Sequence, residues 1–216
     1  MNDESLVFSS PPPTASTNND STIELGRVLT RLRATNGVEM SVKVAMDFLQ
    51  VKFERCPLIW LGLYDRRTHQ ITGKGGVLPT DNRRALRHSF CLKPGDTLER
   101  VVIQQEPIQI ENLQREPNAG DWSEAARQAG IQSAVVWPIS CRNQCLGVVV
   151  LGASRTGLTI ERLEATQLTI VLGELGNVLY VRELEELRAQ LQRPHAVMLS
   201  VAQHLQGEEP DRKSVV

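Results

Sequence analysis

The sequence predicts an α+β sandwich: an antiparallel sheet of about six strands, helices on both faces, and a long C-terminal helix. Three observations carry this. Short apolar segments are paired across polar turns, most clearly in "IQSAVVWPISCRNQCLGVVVLGAS" from Ile131 to Ser154. Segments with helical apolar spacing lie before, between and after these strands. The last of them keeps a heptad spacing, as a helix with an external partner does.

Taken in order, residues 1–21 contain "SSPPPTASTNNDS", where Pro, Ser, Thr and Asn leave almost nothing to bury, so a disordered leader is expected. Ile23, Leu25, Val28, Leu29 and Leu32 then recur at helical spacing, with Ser21 or Thr22 as the cap and Asn36-Gly37 as the stop. A second helix over about Val38 to Glu54 carries Val42, Ala45, Phe48, Leu49 and Phe53, and Cys56-Pro57 ends it. "LIWLGLYD" (58–65) reads as an apolar strand, "RRTH" as a turn and "QITGKGGV" as a more polar second strand. The glycines of 73–76 match no phosphate-binding motif and mark an irregular strand end.

"RHSFCL" (87–92) gives a third strand, and "PGDTLERVVIQQ" (94–105) a helix starting near Asp96 or Thr97. "EPIQIENL" is a short strand and "GDWSEAARQAG" (120–130) a short helix closed by Gly130. The opening stretch forms a hairpin with a three-residue loop, Arg142 to Gln144.

From Thr159 to about Gln192 a long helix presents two apolar faces. One seam, Ile170, Gly173, Asn177, Tyr180, Leu184, Leu187 and Leu191, alternates gaps of 3 and 4. The other face holds Leu168, Leu172, Leu175 and Leu179. One face can pack on the sheet, and the other suits a second subunit, so a homodimer is expected with Asn177 setting the register. The predicted organisation is a leader (1–21), a folded unit (22–192) and a short helical, frayed tail (193–216).

Composition narrows the function. A formal net charge of -1 argues against a nucleic-acid binder, and no apolar run is long enough to span a bilayer. "MNDESLVFSSPPP" has neither the basic start nor the apolar core of a secretion signal, so a cytoplasmic protein is expected. Cys56, Cys91, Cys141 and Cys145 are then free thiols. Cys141 and Cys145, four apart with no second pair, do not make a zinc ribbon, and no metal is expected.

The segments "IWLGLYD", "PGDTLERVVIQQEPIQIENL" and "GIQSAVVWPISCRNQCLGVVVLGAS" together resemble a GAF domain, the small sensory fold of cyclic-nucleotide phosphodiesterases, phytochromes and bacterial regulators. The last segment is the most telling: Val136-Trp137-Pro138-Ile139, a polar turn, then Leu146-Gly147-Val148 and a small-residue strand. The resemblance covers about Ser21 to Leu187 and implies a GAF-like sheet with a signalling C-terminal helix. It is specific for fold and says little about ligand, since one fold hosts many functions.

The family's chemistries can be tested on the residues. Photoreceptor members attach a bilin through a Cys-His pair, and Asp121-Trp122 stands in that place here, so no covalent bilin is expected. The free methionine sulfoxide reductases need pocket cysteines, one near the start of the central helix, but "KPGDTLE" has none. The cyclic-GMP signature is absent as well. His69 falls in a turn, and His195 and His204 in the tail; "AQHLQGEEP" lacks the acidic residue of a phospho-accepting helix.

The resemblance places Trp60, Tyr64, His88, Phe90, Asp121 and Trp122 around the family's pocket, with plain core packing as the competing reading for each aromatic residue. No nucleophile–base pair or paired-carboxylate motif stands out, so an enzyme is not expected. Two readings remain: a sensory domain that binds a small molecule and signals to another protein through a dimerising C-terminal helix, or a ligand-free dimerisation or adaptor module.

Overall fold

Both faces of one central strand are buried, and the architecture is built outward from it. The computed structural model describes residues 16–79 and 87–207. In chain order these hold α1 (Ser16–Arg33), α2 (Val38–Lys52), β1 (Leu58–Asp65), β2 (Gln70–Val77) and β3 (Ser89–Cys91). They continue with α3 (Thr97–Gln104), β4 (Ile108–Ile110), α4 (Trp122–Gln128), β5 (Ser133–Cys141), β6 (Gln144–Ala153) and α5 (Arg162–Gly207). The six strands form one antiparallel sheet in the order β3-β2-β1-β6-β5-β4. Helices α1, α2 and α5 cover one face; α3, α4 and the loop from Leu113 to Ala119 cover the other.

Alternation along the strands sorts the core into two halves. Ile59, Leu61, Val135, Ile139, Val149 and Leu151 face α1, α2 and α5. Leu58, Trp60, Ala134, Val136, Val148 and Val150 face α3 and α4. Two bulges break the alternation. Ile139 pairs with Gly147 but Ser140 with Cys145, which leaves Leu146 as an extra residue. Leu61 pairs with Gly75 but Gly62 with Gly73, which leaves Lys74 over. The glycine-rich "GKGG" is therefore a bulge inside β2 rather than a strand end.

Four boundaries differ from the sequence reading. The leader expected over 1–21 lies outside the described residues as far as 15, but α1 begins at Ser16. Residues 16–20 carry no apolar side chain to reveal a helix by periodicity. A tertiary contact secures the segment just beyond them, where Gln167 Nε2 of α5 donates to Ser21 Oγ. The β5–β6 loop has two residues, not three: Arg142 (φ 49) and Asn143 (φ 59) are both left-handed, as a type I′ turn requires. Gln105 Nε2 donates to Asn143 O at 2.8 Å, and the Arg142 guanidinium lies 5.4 Å over the Tyr180 ring, so neighbouring elements hold this turn.

Helix α5 starts at Arg162 rather than Thr159, because Leu158 N is taken by Ser133 Oγ and the Glu164 carboxylate caps Glu161 N at 3.0 Å. At its other end the helix passes through Pro194 to Gly207, so 193–207 continue α5 and are not a separate tail helix. A proline removes one backbone donor at a cost of about 3 kcal/mol, and strong helix formers on both sides carry the helix across it. Residues 208–216 lie outside the described residues.

Two ion pairs anchor the α1/α2/α5 layer. Arg33 and Glu174 join α1 to α5 at 2.8 Å. Arg55, after α2, is bidentate to Glu164 in the first turn of α5. The Arg55 hydrogen bonds hold the Glu164 carboxyl below its ordinary value, against the opposing effect of burial.

A folded-state value below the unfolded one means stability that is full above the ordinary carboxylate pKa of about 4.3 and is lost as pH falls through the depressed value. Glu164→Gln should therefore be less stable than the wild type at neutral pH, by a margin that shrinks as pH falls through the depressed value and is gone below it. An identical pH profile for the variant would contradict this assignment.

Two helical glycines make a sharper test. A Cβ on Gly176 would sit 2.7 Å from Ser140 O, whereas one on Gly173 meets nothing within 4 Å. Gly173→Ala should raise stability by about 0.5–1 kcal/mol through helix propensity. Gly176→Ala should lower it by about 1–3 kcal/mol, because backbone cannot give way as a flexible side chain can. Urea unfolding of the two variants reads both signs.

Candidate functional site

One cavity among the described residues lies on the α3/α4 face of the sheet. Its floor is Leu58 and Trp60 of β1 with Val150 of β6; its walls are Leu78, Phe90 and the α4 residues Trp122, Ala125 and Ala126. The register that pairs Trp60 with Val150 brings the floor together. Strand alternation leaves open whether the Trp60 face meets helices α1 and α2 or the other side; the structure puts it on the cavity side.

The cavity is almost full. Trp60 and Trp122 are 4% and 5% exposed and occupy most of it. The space left is about 20 Å³, room for a single water. The ring of Phe90 packs edge-on against Trp60 at 5.7 Å. One polar atom among the cavity-lining side chains has no partner: Trp122 Nε1 is buried and makes no hydrogen bond. Leaving such a donor unsatisfied costs about 1–3 kcal/mol.

Of the six residues expected at the pocket, Trp60, Phe90 and Trp122 line the cavity and three do not. His88 is exposed and touches the site only through its ring contact with Phe90, 5.1 Å away. Asp121 is exposed and pairs with Lys93 Nζ at 2.6 Å, staking the start of α4 to the loop before α3. Tyr64 sits at the far end of β1, where its hydroxyl hydrogen-bonds His69 Nδ1 at 2.9 Å. A strand advances about 3.3 Å per residue, so the four residues from Trp60 to Tyr64 carry the side chain past the cavity. The sequence reading missed Leu58, Leu78, Val150, Ala125 and Ala126. Period-two alternation from Trp60 marks Leu58; the others depend on strand pairing and helix docking that no local pattern reveals.

The segment from Leu113 to Gly120, which leads into α4, is pinned. Asp96 caps α3 by accepting from Glu99 N at 2.7 Å, and accepts from Lys93 N at 2.9 Å. Thr97 donates from N and Oγ1 to Asn118 O. Arg127 of α4 donates to the carbonyls of Leu113 and Glu116. Gly120, at φ +91, packs against Asp96, where a side chain would be strained and crowded. These bonds seat Trp122 in the cavity.

All four cysteines are free and none lines the cavity. Cys141 packs on the α1/α2/α5 side of the sheet and Cys145 on the other, so no bridge spans the turn. Burial pushes the Cys145 thiol up, leaving a protonated sulfur that donates to Gly147 O. Among the described residues, no group of His, Cys, Asp and Glu could hold a metal ion.

A family model described as GAF domain matches residues 41–178. The chain belongs to the GAF domain family. Solved structures agree on the fold. The GAF domain of an Acinetobacter phosphoenolpyruvate-protein phosphotransferase superposes with a TM-score of 0.62 at 15% identity, over 77% of this chain and 96% of that one. The corresponding GAF domain from Coxiella burnetii gives 0.60 at 16% identity, over 80% and 99%. A phycocyanobilin-bound GAF domain of a cyanobacterial phytochrome gives 0.59 at 15% identity, over 76% and 96%. No curated protein matches the chain. In this GAF domain Trp60 and Trp122 take up the cavity on this sheet face, leaving about 20 Å³.

Two variants separate packing from polar strain at Trp122. Trp122→Ala should cost about 3–5 kcal/mol, as large-to-small changes at buried aromatic sites do. Trp122→Phe removes the orphaned N–H together with part of the ring, so its cost should fall to about 1 kcal/mol or less. Equal losses for the two variants in chemical denaturation would show that Nε1 is satisfied in solution.

Proposed function

We propose that this GAF domain is a non-catalytic regulatory module that works as a homodimer through α5 and passes its state to a separate output protein. The observation that carries this reading is the exposed seam of α5. Leu168, Leu172, Leu175 and Leu179 are buried on the sheet, as one face of the helix should be. Ile170, Val181, Leu184, Leu187 and Leu191 on the opposite face are between 41% and 75% exposed. Leu184, Leu187 and Leu191 at 3/4 spacing, with Ile170 and Val181 nearby, form an exposed apolar stripe on an otherwise charged helix, which is what a second helix covers.

Magnitudes support a dimer that can be adjusted. Covering the exposed half of each of these side chains is worth about 1 kcal/mol, so the ten in two copies contribute about 10 kcal/mol. Association costs about 4–15 kcal/mol in lost rigid-body freedom. The two are comparable, so small changes elsewhere in the domain can shift the balance. The four free cysteines suit a reducing compartment, which supports a cytoplasmic setting. Among the described residues, no helix is long and apolar enough to cross a membrane.

One observation favours small-molecule sensing within the same framework. The unpartnered Trp122 Nε1 is a donor waiting for an acceptor in an apolar cavity. A flat molecule with one acceptor group, displacing Trp122, would satisfy both features. Without such a molecule the filled cavity supports the adaptor role.

Sedimentation velocity is the test. The wild-type chain should sediment as a dimer, and Leu184→Glu with Leu187→Glu as a monomer that melts at the same temperature. A monomeric wild type, or a double variant that stays dimeric, would refute the seam as the interface. Native mass spectrometry of the purified protein decides between the two roles, since a retained small molecule adds a fixed mass.

A further inference from the structure

Of the asparagines in the chain, Asn36 alone is followed by glycine. A main-chain nitrogen that follows asparagine can attack the side-chain amide, and glycine hinders that attack least, having no Cβ and the freest backbone. The turn between α1 and α2 leaves the step open. Asn36 is exposed and belongs to neither helix. Gly37 sits at φ +109, and a Cβ built there would meet nothing within 4 Å. Among the described residues, neither the Asn36 side chain nor the Gly37 N–H has a hydrogen-bond partner. Asn112, Asn143 and Asn177 differ. Asn112 Oδ1 accepts from Gln114 N at 3.0 Å, Asn143 lies in the tight β5–β6 turn held by Gln105, and Asn177 lies inside α5.

Arg182 of α5 stands over the same turn. It donates to Thr35 O at 2.6 Å, while its Nε is buried and has no partner. Thr35 O is about 3 Å from the Asn36 Cα across a planar trans peptide, so the guanidinium lies within about 6 Å of that Cα. Glu174 and Glu185 line the cleft beside Arg182, but Glu174 is held by Arg33, and among the described residues neither pairs with Arg182. The first turn of α2 is also open to a negative charge, because Gly37 caps it with no side-chain bond.

We infer that Asn36 is a site of slow spontaneous modification, whose product is a carboxylate that pairs with Arg182. The Gly37 nitrogen bonds to Asn36 Cγ, the Cγ–Nδ2 bond breaks, and ammonia leaves with the Gly37 proton. Water, the one co-reactant, then opens the cyclic imide. Opening at Cγ gives aspartate; opening at the main-chain carbonyl gives isoaspartate, with a backbone one methylene longer. The first product ties the α1–α2 turn to α5 more firmly. The second lengthens a turn that Ser41 N to Gly37 O and the Thr35–Ser41 hydroxyl pair at 2.7 Å now close.

The full chain, held at mildly alkaline pH for several weeks and digested with trypsin, tests the site. Peptide Ala34–Lys43 should exchange its amide for an acid and resolve into two products, one of them a substrate for isoaspartyl methyltransferase. Peptides with Asn112, Asn143 and Asn177 should stay intact, and Asn36→Gln should remove the new acidic band in isoelectric focusing. An unchanged Ala34–Lys43, when a sample unfolded in urea has converted, or equal conversion at Asn112, overturns the site. For the pairing, Asn36→Asp should raise the urea midpoint, and the gain should shrink in the Arg182→Gln background. A lower midpoint, or the same gain in both backgrounds, overturns the pairing.

Discussion

The pairing of β1 with β6 at the centre of the sheet is the constraint on which the rest depends. All but the first residue of β6 are buried, so both of its faces must be apolar and its register cannot slip. A slip of one residue would send Val148 and Val150 to the α5 side and Val149 and Leu151 to the cavity. The bulge at Leu146 is part of the same constraint. It puts Cys145 on the cavity side and Leu146 on the helix side while preserving alternation for the rest of the strand. Without the extra residue the turn end and the core end of β6 would disagree about which face is which.

The nearly filled cavity follows from that register and from one glycine. A Cβ on Gly62 would lie 2.6 Å from the Trp60 ring and would also strike Ile71. Because position 62 is glycine, the Trp60 indole can lie along β1 and fill the floor of the cavity. Trp122 fills the remainder because Asp96, Thr97 and Arg127 hold the segment before α4 in place. The domain thus builds the cavity wall of its family's fold and then occupies it with its own side chains. Apolar side chains are exposed on α5, whereas at the cavity they are buried.

How much of this is legible in the sequence depends on the range of the interaction. Period-two alternation places Trp60 and Tyr64 on one face of β1, and heptad spacing separates Leu168, Leu172, Leu175 and Leu179 from Ile170, Leu184, Leu187 and Leu191. Both patterns are local and both match the burial observed. The start of α1 is illegible because its first residues are polar, and "CRNQC" hides a left-handed pair that contains no glycine. The continuation of α5 through Pro194 is equally hidden, since a proline argues locally for a stop. At the cavity the residue types are legible but their company is not. Tyr64 shares the face of Trp60 but lies too far along β1, while His88 is exposed and Asp121 is drawn to Lys93.

Three contacts grip α5 within four residues, and each comes from a different turn. Arg142 of the β5–β6 turn covers Tyr180; Arg182 donates to Thr35 O between α1 and α2; Arg66 of the β1–β2 turn holds Glu183. The first and third of these turns close strands β1, β5 and β6, whose middles carry Trp60 and Val150 at the cavity floor. A rigid strand transmits a displacement along its length better than a loop does, and here both ends of the path are fixed by named contacts. Trp60 sits on β1 and packs over β6, and the turns that terminate those strands are the ones holding α5. Beyond Glu183 the helix runs on exposed as far as Leu191, with its apolar seam outward. The point where the sheet lets go of the helix is therefore also where its apolar side chains become exposed, and the charge on Glu183 stands at that boundary.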